Sequence, residues 1–236
     1  MYSFSSKVRY SECDEHAQLS IVALINYLQD CSTFHTESLG LGINFLAEHH
    51  FAWLLAAWQI EIDRLPSFCE QITVSTWCYD MRRTYALRNF CITDAQGNRC
   101  VRADSIWFTF DTQASKPIRI PASEAPYLTN EPRMDMPPTR RKLSCEGAYQ
   151  ERSPLVVTEQ HLDTNRHVNN AQYVLMALQA LDQQFVPSRI CVQYQQQAHL
   201  GDVVIPRVYD LDQSWSVQLC DADGSPYATI ELEGRA

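Results

Sequence analysis

The sequence predicts an α+β fold built twice over, each half consisting of one long helix wrapped by an antiparallel β-sheet. Three observations predict it: a repeated turn signature, a repeated capped helix, and short β-rich runs after each helix. The turn signature is "DAQG" at 94 to 97, which returns as "DADG" at 221 to 224. Each lies beside β-branched or aromatic runs, "ALRNFCIT" before the first and "WSVQLC" before the second, and so reads as a hairpin turn. Upstream, "IEIDRLPSFCEQITV" from Ile60 aligns with "VQYQQQAHLGDVVIP" from Val192, setting Ile62 over Tyr194, Phe68 over Leu200 and Glu70 over Asp202. Further upstream, "CDEHAQLSIVALINYL" aligns with "LDTNRHVNNAQYVLMAL", setting Asp14 over Asp163, Leu19 over Val168 and Ser20 over Asn169. Order is kept, and the first copy carries the insertions.

The first helix is predicted over "SIVALINYLQDCSTFHTESLG", with Ser20 as its cap, apolar residues at helical spacing and Gly40 as its stop. "NNAQYVLMALQALD" is its counterpart, capped by asparagine. The runs "QITVSTWCYD", "ALRNFCIT", "DSIWFTFD", "VVIPRVYD", "WSVQLC" and "YATIELEG" are predicted strands. Between the copies, 117 to 154 concentrates most of the chain's prolines and has little periodicity, the composition of a connector. The expected division is 1–125 for the first half, 126–153 for the connector and 154–236 for the second half.

Composition narrows the function. With 236 residues and 45% hydrophobic content the chain can bury a substantial core. The start "MYSFSSKVRY" has no apolar run after a basic head, and "FAWLLAAW" at 51 to 58 is far short of the ~20 residues that span a bilayer. A cytoplasmic protein with no membrane span is expected. Nine cysteines with no C-x-x-C pair suit a reducing compartment, where most serve as small buried hydrophobes. The net charge of -9 argues against a nucleic-acid binder, because displacing counterions from phosphates needs a basic surface. An acidic partner would need a local basic patch; the candidates are Arg140, Arg141 and Lys142, then Arg82 and Arg83.

The stretch "HLDTNRHVNNAQYV", 161 to 174, carries the chemistry. Asp163, Asn165 and His167 stand at every second position, a spacing that turns side chains to one face along extended backbone. Asn169 or Asn170 is by itself an ordinary helix cap, and a lone histidine beside a helix is more often structural. The set, in one half only of a duplicated fold, points to function: the first copy keeps Asp14 but has His16 over Asn165 and Gln18 over His167.

A duplicated helix-and-sheet with D-x-N-x-H-V-N-N before the second helix resembles the acyl-acyl carrier protein (ACP) thioesterases of plants and bacteria. The likeness also takes in "NYLQD", "HTESLG", "TW" at 76 to 77, "LRNFCITDAQG" and "IRIP" at 118 to 121. It implies a tandem (double) hotdog fold with the acyl pocket shaped by the N-terminal half and catalysis in the C-terminal half. It further implies hydrolysis of the thioester joining a fatty acyl chain to ACP, with Asp163, Asn165 and His167 catalytic. In this chain the Glu-Cys pair of the plant enzymes is replaced by Gln197 and Ala198, which excludes a thiol nucleophile there and leaves Gln197 to orient a water. The base is then His167 or Asp163. Backbone N–H groups at the helix start, Val168 to Asn170, are the expected oxyanion donors. No metal or organic cofactor is expected, and the chain is expected to be a monomer or a homodimer. The alternatives are an acyl-CoA thioesterase and a hotdog protein that binds acyl thioesters without cleaving them.

Overall fold

The computed structural model describes residues 1–182, 185–212 and 214–234. The chain divides into two compact units, Met1–Thr139 and Arg140–Ala236.

In the first unit, β1 (Tyr2–Lys7) is followed by α1 (Ile21–Ser38), α2 (Ile43–Glu48), β2 (Phe51–Ile62), β3 (Gln71–Met81), β4 (Ala86–Asp94), β5 (Arg99–Asp111) and β6 (Lys116–Ile118). The strands run β1-β3-β4-β5-β2, each pair antiparallel, and β6 pairs with the far end of β5. Burial alternates along β1, as period-two side-chain placement requires when one face meets a helix and the other does not. α1 begins where Ser20 Oγ accepts from Ala23 N (3.2 Å) and stops at Gly40, whose φ of +70° a side chain would strain. Leu24, Leu28, Cys31 and His35 form its inward stripe at i, i+4 and i+7 spacing, packed on β1 and β3.

His35 brings a polar group into that stripe. Arg88 of β4, itself buried, donates through Nη1 to His35 Nδ1 (3.1 Å) and Thr76 Oγ1 (3.2 Å), and its guanidinium lies 5.2 Å from the Tyr127 ring centroid. Burial, and then the neighbouring Arg88 cation, push the imidazole of His35 down to about 4. In the unfolded chain this group titrates near ~6.5, so below that pH the unfolded state binds more protons. Its contribution to stability is therefore full above pH ~6.5 and lost as the pH falls toward 4. Between pH 7 and pH 5 we expect a loss of about 2 kcal/mol. Urea unfolding of the wild type and His35→Gln at both pH values checks this; an equal loss in the variant would refute it.

Residues 122 to 139, on the proline-rich stretch, are bound to the first unit. Buried Asn89 accepts from Met134 N (2.8 Å) and donates to Asp104 Oδ1 (3.1 Å), and Asp104 Oδ2 accepts from Thr139 N (3.0 Å). Buried strand side chains thus supply the acceptors that this segment lacks from any ladder of its own. Five cysteines, Cys31, Cys78, Cys100, Cys191 and Cys220, are buried, and burial pushes the Cys31 thiol up to about 12.

In the second unit, β7 (Gln150–Glu151) and β8 (Leu155–Val156) precede α3 (Asn170–Gln179), β9 (Pro187–Tyr194), β10 (Val203–Asp210), β11 (Ser214–Cys220) and β12 (Pro226–Gly234). The order is β9-β12-β11-β10, antiparallel, with β7 and β8 both pairing with β10. Asn169 Oδ1 caps α3 by accepting from Ala171 N (2.8 Å), and α3, whose Val174 and Ala177 are fully buried, packs on β11 and β12. No helix among the described residues is long and apolar enough to cross a membrane.

Candidate active site

The stretch from Asp163 to His167 is a tight turn, not extended backbone. Asp163 Oδ1 accepts from Asn165 N (2.8 Å) and His167 N (3.1 Å), Asp163 N donates to His167 O (2.8 Å), and Arg166 takes φ +63°. The same device holds the hairpin turns: Asp94 Oδ1 accepts from Gln96 N and Asn98 N with Gly97 at φ +83°, and Asp221 Oδ1 from Asp223 N and Ser225 N with Gly224 at φ +84°. A fourth instance is Asp14, which accepts from His16 N and Gln18 N with Ala17 at φ +56°. The spacing of two therefore arises from side-chain-to-backbone hydrogen bonding. Asp163 is first of all the residue that shapes the turn. Asn165 is exposed at its tip, and His167 is half-buried at its end.

The turn is pinned to the segment after β9. Val168 N donates to Ala198 O (3.0 Å), Ala198 N donates to Tyr173 Oη (2.9 Å), and Asn169 N donates to His161 O (2.9 Å). These bonds overturn the expected oxyanion role of Val168 and Asn169, whose N–H groups are spent inside the fold. The carbonyl of Asn170 accepts from Tyr194 Oη (3.0 Å), which ties the start of α3 to β9. Gln197 is exposed, and Ala198 is fully buried behind it.

The pinning brings in a residue that the motif does not contain. The His199 ring faces the His167 ring edge-on, with centroids 5.0 Å apart and planes at 84°. His199 N donates to Asp202 Oδ2 (2.8 Å), and its Nδ1 lies 3.8 Å from the same oxygen. Burial pushes the His167 imidazole below its ordinary value; Asp163 opposes this, and His199 adds to it. His167 is thus held neutral, in its basic form, at pH 7. The duplication holds the signal that would have found His199: the alignment placing Glu70 over Asp202 places Ser67 over His199.

The basic candidates are partly neutralised. Arg140 is paired with Glu231, and Arg82 Nε donates to Asp80 Oδ2 (2.8 Å), whereas Arg83 and Lys142 are exposed, as is Arg141. Among the described residues, Glu70, Asp94 and Cys100 have metal-ligand atoms within 4.8 Å of one another. Arg64 bridges both carboxylates, at 2.5 Å to Glu70 and 2.9 Å to Asp94, and supplies the positive charge there.

Comparison with known proteins follows the same division. The model of the acyl-ACP thioesterase N-terminal domain matches residues 1–125, and that of the C-terminal domain matches residues 147–219. A chloroplastic acyl-(acyl-carrier-protein) hydrolase of Cuphea viscosissima is 26% identical over 226 residues, covering 89% of this chain and 55% of the relative. The oleoyl-acyl carrier protein thioesterase 1 of Arabidopsis thaliana is 26% identical over 220 residues, covering 84% of this chain and 60% of the relative. The chain thus spans somewhat over half the length of these relatives. Two solved structures share the fold over nearly the whole chain. An acyl-ACP thioesterase from Bacteroides thetaiotaomicron superposes with TM-score 0.88 at 24% identity, covering 99% of this chain and 97% of the other. The 12:0-ACP thioesterase from Umbellularia californica gives 0.84 at 20% identity, covering 99% and 96%. The fold is the tandem hotdog that the sequence predicts, and, with family models matched in both halves, the chain belongs to the acyl-ACP thioesterase family.

Proposed function

We propose that this protein hydrolyses the thioester of fatty acyl-ACP, releasing free fatty acid and so ending elongation. The observation that carries the reading is His167: a half-buried imidazole kept in its basic form, in the unit whose counterpart has Gln18 at the same place in the same turn. In the proposed reaction His167 takes a proton from the attacking water, Asp163 holds the turn and the charge beside it, and Asn165 offers its exposed amide to the developing oxyanion. Gln197, exposed beside Ala198, is assigned to orienting the water. Chemistry is assigned to the second unit and acyl-chain selection to the first, in a cytoplasmic enzyme with its thiols reduced.

The test is release of fatty acid, counted by mass spectrometry, from a panel of acyl-ACPs and acyl-CoAs. Preferential release from ACP is expected; binding without release would favour a non-catalytic acyl-thioester protein instead. ACP is acidic, so the exposed cations Arg83 and Lys142 are proposed as docking contacts together with Arg82, Arg140 and Arg141. Arg83→Glu with Lys142→Glu is expected to lower kcat/KM on carrier-bound substrate by about tenfold, through the association rate, and to lower acyl-CoA turnover less. Equal loss on both substrates would remove these residues from docking.

A further inference from the structure

The two units frame the same pair of positions with several matching hydrogen bonds, while the side chains at the pair differ. In the first, Leu19 N donates to Pro66 O (2.8 Å), Gln18 and Ser67 form a short antiparallel bridge, and Ser67 N donates to Glu70 Oε2 (2.9 Å). In the second, Val168 N donates to Ala198 O (3.0 Å), His167 faces His199, and His199 N donates to Asp202 Oδ2 (2.8 Å). Further along, Cys69 N donates to Val8 O (3.0 Å) where Gly201 N donates to Val157 O (2.9 Å). Across the matched places, the first unit has Gln18 and Ser67 where the second has two facing imidazoles. The frame itself needs no histidine at either place, since the first unit builds it without one.

We propose that His199 is a second catalytic residue, the proton donor to the departing sulfur, opposite His167 as the base; this rests on the thioesterase reading above. The geometry assigns the roles. An acyl chain must be buried while the pantetheine arm leads out to a carrier in solvent, so the sulfur lies on the outer side of the reacting carbonyl. His199 is the outer ring, with 58% of its side chain exposed, and its Nδ1 lies 3.8 Å from Asp202 Oδ2. His167 is the inner ring, flanked by Asp163 and His199, with burial favouring its neutral form. Asp163 acts on the charge of His167 and Asp202 lies beside His199, while burial pushes the neighbouring phenol of Tyr173 up to about 12, so that it stays neutral.

The step balances. Water adds to the carbonyl carbon, its proton passes to His167, and the carbonyl π pair moves to oxygen. As the carbonyl re-forms, the C–S bond breaks with its electron pair going to sulfur, and the imidazolium of His199 gives that sulfur its proton. The products are a carboxylic acid and a thiol, and the proton on His167 returns to His199 through solvent. Such a donor matters for an alkyl thiol, whose pKa is near ~8.5, and little for an electron-poor aryl thiol, which leaves readily as the thiolate.

The test compares His199→Ser, the residue that the matching frame of the first unit carries, with wild type on an alkyl pantetheine thioester and on a nitrophenyl thioester of the same acyl chain. We expect kcat/KM on the alkyl thioester to fall by on the order of 10²-fold and on the aryl thioester by less than about tenfold. Thermal unfolding of the variant monitors the fold, and His199→Asn replaces it if the serine variant fails to fold. Equal losses on the two substrates, or no loss on the alkyl one, would overturn the proposal while leaving the thioesterase reading standing. A wild type that cleaves neither substrate would overturn that reading and this proposal with it.

Discussion

Replacing His167 by glutamine is expected to lower kcat/KM on acyl-ACP by 10² to 10⁴-fold, the usual contribution of a positioned general base. Glutamine is the informative choice, because Gln18 already occupies the matching place in a turn where Asp14 Oδ1 accepts from the backbone N–H groups two and four residues on, as Asp163 Oδ1 does. Stability should therefore change by no more than about 0.5 kcal/mol, as for a replacement that the frame accommodates. Separating kcat/KM from the urea midpoint checks both halves of the expectation. A variant that keeps its activity would move the base elsewhere, and one that unfolds would make His167 a structural residue. Because burial lowers the pKa of His167, the acid limb of the wild-type pH profile is expected below the ordinary imidazole value of ~6.5.

Asp163 is expected to separate cleanly into two substitutions. Asp163→Ala removes the acceptor for the N–H groups of Asn165 and His167 and should cost about 1 to 2 kcal/mol of stability, in the range of a lost helix cap, together with most of the activity. Asp163→Asn keeps an oxygen at Oδ1 and with it the turn, so activity should stay within about tenfold of wild type. The sign of the pH effect follows from the same charge. Asp163 raises the pKa of His167, so removing its charge lets that pKa fall and moves the acid limb to lower pH. Were Asp163 the base itself, asparagine would abolish activity as completely as alanine, and a pH profile of the two variants beside wild type decides the matter.

The parts that were legible in the sequence are those held by hydrogen bonds a few residues long. Ser20, Asn169, Gly40 and the aspartates at 94 and 221 act on backbone groups within one turn of themselves, so their residue types declare the structure they make. The repetition of these signals at matching positions made the duplication readable, and with it the family. The 163 to 167 stretch misled in one respect. Alternation is shared by strands and by this turn, and only the αL backbone at Arg166 and the shared Asp163 acceptor distinguish them.

What the sequence alone determined is therefore the tandem α+β architecture, the helix starts, and the grouping of Asp163, Asn165 and His167 just before the second helix. The tertiary structure decided which groups are available to do chemistry. The N–H groups of Val168 and Asn169 are consumed by carbonyls of Ala198 and His161, and His199 is carried against His167 when the segment after β9 folds back onto the turn. The physical reason is range. A cap or an Asx turn is satisfied by its own neighbours, whereas the partner of a ring or of an orphan N–H is chosen by how distant segments pack.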